Sequence, residues 1–189
     1  MEKMGEASLL VLVIGILFAV AGIGMWTNTI RGLVTGGPRD RTKPGQPHVY
    51  DRIYYLMTLL MITGWSIGIL SFLANVDSNR LQSESGFMIG WGICAVGMGL
   101  MFSLRGDMML SGARYQAKHG FILSRPFYTQ HIIQRERQPL IWKIMPLIFL
   151  VIGAGVLVFN LPHFGEVPGQ VEAGASALIR HIQGLLKPA

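Results

Sequence analysis

Charged residues are scarce in this sequence of 189 residues. Asp, Glu, Lys and Arg make up only 14% of it, whereas a soluble domain carries about 25%. The apolar residues lie in long blocks instead of short amphipathic runs, a pattern typical of helices that face lipid. The sequence therefore predicts an all-α integral membrane protein.

The central stretches of the apolar blocks contain no ionisable residue. Arg105 and Lys143 lie at the edges of blocks, and Asp107 is expected at the membrane interface. Charged groups within a membrane are costly and usually mark transport or proton-relay sites. Their absence argues against a coupled transporter or pump.

Cysteine and histidine offer no pattern of metal or cofactor ligands. Cys94 is the single cysteine, so it can form neither an internal disulfide nor a metal site alone. Haem in a helical bundle needs axial ligands that project inward, but the histidines fall in loops, tails or helix ends: His48, His119, His131, His163 and His181. Their scattered spacing fits no zinc site, and no GxSxG nucleophile motif is present. We therefore expect no catalytic residue, cofactor or metal, and no enzyme activity.

Four long apolar blocks predict four transmembrane helices. About 20 apolar residues are needed to cross a bilayer as an α-helix. The first block carries no charge, and the residues before it lack the positive region of a signal peptide, so we expect a retained helix. The predicted spans are residues 8–26, 53–74, 86–104 and 140–161, within a transmembrane domain of residues 1–168.

Helical patterns extend beyond these spans. The first helix is predicted to continue to the stop signal Gly36-Gly37-Pro38, and the third to continue through Arg105 to Lys118. Residues 125–138 predict a short helix at the membrane surface. Residues 169–189 predict an interfacial amphipathic tail, whose apolar face holds Val171, Ala175, Leu178, Ile179, Ile182, Leu185 and Leu186.

The positive charges are distributed unevenly between the two predicted sides. Twelve Lys and Arg residues lie on one side, in the loop between spans one and two, in the loop between spans three and four, and at Lys143. The other side carries four: Lys3, Arg80, Arg180 and Lys187. The positive-inside rule then places both long loops in the cytoplasm and both termini outside, as in a bacterial inner (cytoplasmic) membrane. The alternative is that the loop charge serves a nucleotide or protein contact. The net charge of +6 is accompanied by no nucleic-acid-binding signature, so no nucleic-acid partner is expected.

Glycine is frequent within the predicted third helix. Gly90 with Gly97, and Gly92 with Gly99, form two pairs that lie roughly 200° apart around the helix. Small residues allow membrane helices to approach closely. Both pairs are expected chiefly to pack the four helices together. The alternative is that one pair packs inside the bundle and the other faces a neighbouring subunit.

These features favour a non-catalytic accessory or structural subunit of a larger membrane complex, of the secretion, respiratory or photosynthetic type. Its partners would be the lipid bilayer and other membrane subunits, contacted through small-residue helix faces.

Two other hypotheses remain open at this point. The first is a small oligomeric channel or transporter, with weak polar lining from Thr58, Thr63, Ser66 and Asn160. The second is a membrane enzyme that acts at the cytoplasmic interface through Asp107, His119 and His131.

Overall fold

The computed structural model describes residues 6–36, 50–78, 85–119, 122 and 125–186. Every element in these ranges is helical, which confirms the predicted all-α class for this part of the chain. The elements are α1 (Glu6–Thr35), α2 (Arg52–Ser78), α3 (Ser85–His119), α4 (Arg125–Arg137), α5 (Pro139–Phe159), a 3₁₀ helix (Leu161–Glu166) and α6 (Val167–Leu186).

Within the described residues, three helices are long and apolar enough to cross a membrane. They contain the segments Arg52–Asn75, Ser85–His119 and Pro139–Phe159, which overlap the second, third and fourth predicted spans. The fourth prediction runs two residues too far, because α5 ends at Phe159 and a turn at Asn160 leads into the 3₁₀ helix with Pro162. The first predicted span lies in α1, but several of its side chains fall outside the described residues.

The predicted ends of the long helices are confirmed where they are described. α1 ends at Thr35, and Gly36 adopts a φ of 77°, a left-handed conformation that favours glycine. The Gly36 amide donates to the Gly32 carbonyl at 2.9 Å, which closes the last turn. Gly37 and Pro38 lie outside the described residues. α3 continues to His119, and the predicted surface helix forms as α4, which buries none of its residues.

The chain divides into two compact units, of which the first comprises residues 1–26, 62–94 and 153–189. Within it, α2 and α3 approach closely at glycines. A Cβ atom on Gly90 would meet backbone atoms of Gly64 and Gly68, so any larger residue would push the helices apart. The side chains of Ile62, Leu73 and Ile89 are almost fully buried around this crossing.

α6 packs on the same unit with a face of small residues. A Cβ atom on Gly174 would meet the backbone of Leu70, and Ala177 is only 1% exposed. The Gln170 side chain accepts from the Gly86 amide at 2.9 Å and donates to Ser85 Oγ at 3.2 Å. These contacts join α6 to α2 and α3.

The most buried face of α6 is shifted by one position from the predicted apolar face. Gln170, Gly174 and Ala177 are buried, whereas Ile179, which belongs to the predicted apolar face, is 54% exposed. The close approach at Gly174 requires small residues toward α2, so the larger apolar side chains flank the contact. The side chains of residues 185 and 186 lie outside the described part.

The second unit comprises residues 27–61 and 95–152. Within it, α3 packs against α2 where Gly97 faces Met61, and against α5 where Gly99 faces Leu150. Tyr50, Tyr54 and Tyr55 form a cluster of rings at the start of α2, with centroids 4.4–6.1 Å apart.

The glycine pairs of α3 pack inside the chain, as expected, and the alternative of a glycine face left free for a neighbouring subunit does not hold. In the first unit Gly92 faces Leu157 and Val156 of α5, and in the second unit Gly99 faces Leu150 of α5. The opposite pair, Gly90 and Gly97, faces α2. Both glycine faces therefore pack against the chain's own helices, because α3 has α2 on one side and α5 on the other in each unit.

Candidate functional site

The candidate site lies in the second unit, where α3 departs from regular helical geometry. Arg105 has φ −133° and ψ 25°, so two helical segments meet at a kink there. This position directly follows the third apolar block, and the change of direction separates the charged second half of α3 from its apolar first half.

Asp51 and Arg105 form the fixed part of the site. Arg105 Nε lies 2.7 Å from Asp51 Oδ2, and its Nη1 donates to the Leu104 carbonyl at 2.8 Å. Asp51 Oδ1 accepts from the Tyr54 amide at 2.7 Å, which is the bond of an N-cap residue at the start of α2. One carboxylate therefore both caps α2 and neutralises the arginine at the kink.

Arg135 attaches α4 to the same region. Its Nη1 donates to the Gly106 carbonyl at 2.6 Å, and its guanidinium lies 5.9 Å from the centre of the Trp142 ring. Its side chain is 19% exposed, and its Nη2 is 4.0 Å from the carboxylate of Asp107, which is fully exposed. The contact with Asp107 is therefore weak, and it leaves the positive charge of Arg135 largely uncompensated.

A cavity of about 620 Å³ opens beside these residues. Lys143 of α5 contributes a third positive charge to its wall. None of the ion pairs among the described residues includes Lys143. The remaining wall is largely apolar and includes Phe102, Pro146, Leu147 and Leu150. The cavity thus combines a basic end with an apolar side, and we call it the basic cavity.

The residues of the enzyme hypothesis lie in this unit but are not brought together. Asp107 lines the basic cavity, His131 packs edge-on against Trp142 with ring centres 4.8 Å apart, and His119 lies beside Tyr115. Within the described residues no hydrogen bond or ion pair joins any two of the three. Burial lowers the pKa of His131 below its ordinary value, and the charge of Arg135 lowers it further.

The residues of the channel hypothesis make contacts within the chain. Thr58 Oγ1 donates to the Tyr54 carbonyl at 2.9 Å, and Asn160 Nδ2 donates to the Val156 carbonyl at 2.8 Å. Ser66 Oγ accepts from Trp26 Nε1 at 3.1 Å, and Thr63 also has an interaction partner. These hydroxyl and amide groups are therefore already engaged by groups of the chain itself.

The histidines and Cys94 occupy varied surroundings. His163 Nδ1 lies 2.9 Å from Glu166 Oε1, and Cys94 is buried between α2 and α3 beside Gly64. His48 and the side chain of His181 fall outside the described residues. No group of three or more potential metal ligands occurs in the part of the chain that the structure describes.

Sequence reasoning did not identify the basic cavity. Two local signals pointed toward it: an acidic residue just before a predicted helix, Asp51, and an arginine at the end of an apolar block, Arg105. Neither signal shows that these residues meet.

No protein-family model matches the chain, and neither a curated protein nor a solved structure matches it.

Proposed function

We propose that the protein is a non-catalytic accessory or structural subunit of a larger membrane complex, and that α1 is its fourth membrane span. α1 has 30 residues, and its block from Ser8 to Trp26 carries no charge. The side chains of Leu17, Val20 and Ile23 are 64–68% exposed. Exposed apolar surface of this kind is unfavourable in water and favourable in lipid, which supports a fourth span.

The observation that carries the subunit proposal is a pair of small residues on α1 that the chain does not use. Ala21 and Gly24 are exposed and three positions apart, so they share one face, and the exposed Leu17 lies one turn earlier on it. Among the residues that the structure describes, no atom lies within 4 Å of a Cβ built on Gly24. The glycine pairs of α3 pack against helices of the chain itself. We therefore assign the contact with a neighbouring subunit to this face of α1.

α5 offers a second candidate face. Gly155 also has open space around a built Cβ, and its neighbour Ala154 is exposed. Large apolar residues surround them, including Val151, Ile152 and Val158, all more than half exposed. A partner helix packed here would bury apolar area and use the close approach that glycine permits.

We also propose the topology that follows from the loop charges. Both long basic loops lie in the cytoplasm and both termini outside, in a bacterial inner (cytoplasmic) membrane. The split of twelve to four Lys and Arg residues supports this orientation.

The subunit proposal is tested by purification from native membranes in a mild detergent, followed by mass spectrometry of the co-purifying chains. We expect unrelated membrane proteins with the wild type and their loss with Gly24→Leu. Ile23→Phe is the matched control, because Ile23 is exposed, lies in the same uncharged block and is about 100° around α1 from Gly24. A homo-oligomer that conducts ions in vesicles, with no other chain, would replace the subunit proposal by the channel.

A further inference from the structure

We propose that the basic cavity binds the phosphodiester headgroup of an anionic membrane phospholipid. The proposal requires that α3 and α5 lie in a membrane, but it is independent of the subunit role. Basic pockets between transmembrane helices are a recurrent form of anionic-lipid site.

The charges around the cavity match a ligand with one negative charge. Its wall holds three basic residues, Arg105, Arg135 and Lys143, and two acidic residues, Asp51 and Asp107. Asp51 is paired with Arg105 at 2.7 Å, and Asp107 points into solvent. The three basic and two acidic residues of the wall leave a net charge of +1, carried at Lys143 and Arg135, and the single negative charge of a phosphodiester would balance it.

Donor atoms remain available for the phosphate oxygens. The Nη1 of Arg135 donates to the Gly106 carbonyl, and the one acceptor near its Nη2 in the described part of the chain is the Asp107 carboxylate at 4.0 Å. Arg105 uses Nε and Nη1, and within the described residues its Nη2 has no acceptor. Charge-assisted bonds from guanidinium and ammonium groups are the strongest that a protein offers to phosphate.

The apolar side of the cavity distinguishes a lipid from a soluble phosphate ester. Phe102, Pro146, Leu147 and Leu150 line the wall next to the charged residues. Leu147 is 63% exposed, so this wall continues onto the outer surface of α5. A soluble anion would leave this apolar surface exposed, whereas the acyl chain of a lipid would cover it.

The depth of the site also fits a headgroup. Arg105 follows the last residue of the third predicted span, and Lys143 lies near the start of the fourth. Both charges are therefore at the same end of two spans, where phosphates and snorkelling lysines meet at the membrane interface.

The test is native mass spectrometry of the purified full chain in detergent, titrated with phosphatidylglycerol, with phosphatidylcholine, or with inorganic phosphate. We expect one tightly bound phosphatidylglycerol, and about tenfold weaker binding in Lys143→Gln because one charge-assisted contact is lost. Lys118→Gln is the matched control: Lys118 is exposed, does not line the cavity, and its loss changes the net charge equally. Its affinity for phosphatidylglycerol should equal that of the wild type.

Three results would overturn the proposal. Equal weakening in Lys118→Gln and Lys143→Gln would indicate general attraction to the basic surface. Equal affinity for phosphatidylcholine would show that the anionic charge is not recognised. Displacement of the lipid by inorganic phosphate would identify a soluble anion as the ligand. Lys143 is exposed, so its substitution leaves the fold intact, and a thermal melt confirms this for each variant.

Discussion

Asp51 Oδ2 lies 2.7 Å from Arg105 Nε, which joins the residue before α2 to the residue at the kink of α3. The other oxygen of the carboxylate caps α2. The two side chains are 37% and 25% exposed, so solvent screens the ion pair and its contribution to stability is modest.

The dual role of Asp51 leads to a graded prediction. Asp51→Asn keeps an N-cap acceptor but removes the charge, so we expect it to lower the free energy of unfolding by about 1 kcal/mol or less. Asp51→Ala removes both functions and should cost about 1 kcal/mol more. Thermal and denaturant unfolding in detergent would measure both losses. Equal losses in the two variants would show that the cap contributes nothing.

Substitution of glycine by alanine should destabilise the protein where the glycine is tightly packed and should not where the space around it is open. In Gly90→Ala the new Cβ meets the backbones of Gly64 and Gly68, so we expect a loss of about 1–3 kcal/mol in the free energy of unfolding. Gly24→Ala is the control, because its Cβ enters open space and alanine favours the helix. Similar stability of the two variants in unfolding experiments would disprove the close α2–α3 crossing.

The helical architecture was largely predictable from the sequence, whereas the basic cavity was not. Apolar blocks and Gly36 gave the ends of the long helices, because each signal is local to its helix. Asp51 and Arg105 are 54 residues apart, and no local pattern links them. The glycine pairs of α3 identified close packing correctly, but spacing alone could not say which helices would cover each face.

The docking of α6 can be tested by charge placement. Ala177→Asp would put an unpaired carboxylate into a site that is 1% exposed, at a cost of several kcal/mol, so α6 should detach. Ile179→Asp changes a neighbouring side chain that is 54% exposed and should leave α6 in place. Limited proteolysis of the tail in detergent would compare them. If both variants resist the protease as the wild type does, the described packing face of α6 is incorrect.

The proposed topology predicts which loops a membrane-impermeant thiol reagent can reach. In a Cys94→Ala background, Arg41→Cys and Lys118→Cys should remain unlabelled from outside intact cells, because both basic loops face the cytoplasm. Lys3→Cys, on the opposite side, should be labelled. Labelling at position 41 or 118 before lysis would reverse the orientation.

The subunit role is tested most directly by photo-crosslinking in the native membrane. A photoreactive residue at position 24 should yield a discrete adduct with another membrane protein, because the open face of Ala21 and Gly24 is the proposed contact. The same residue at position 23, within the same uncharged block and about 100° around α1, should yield lipid adducts only. Lipid adducts alone at both positions would contradict the account.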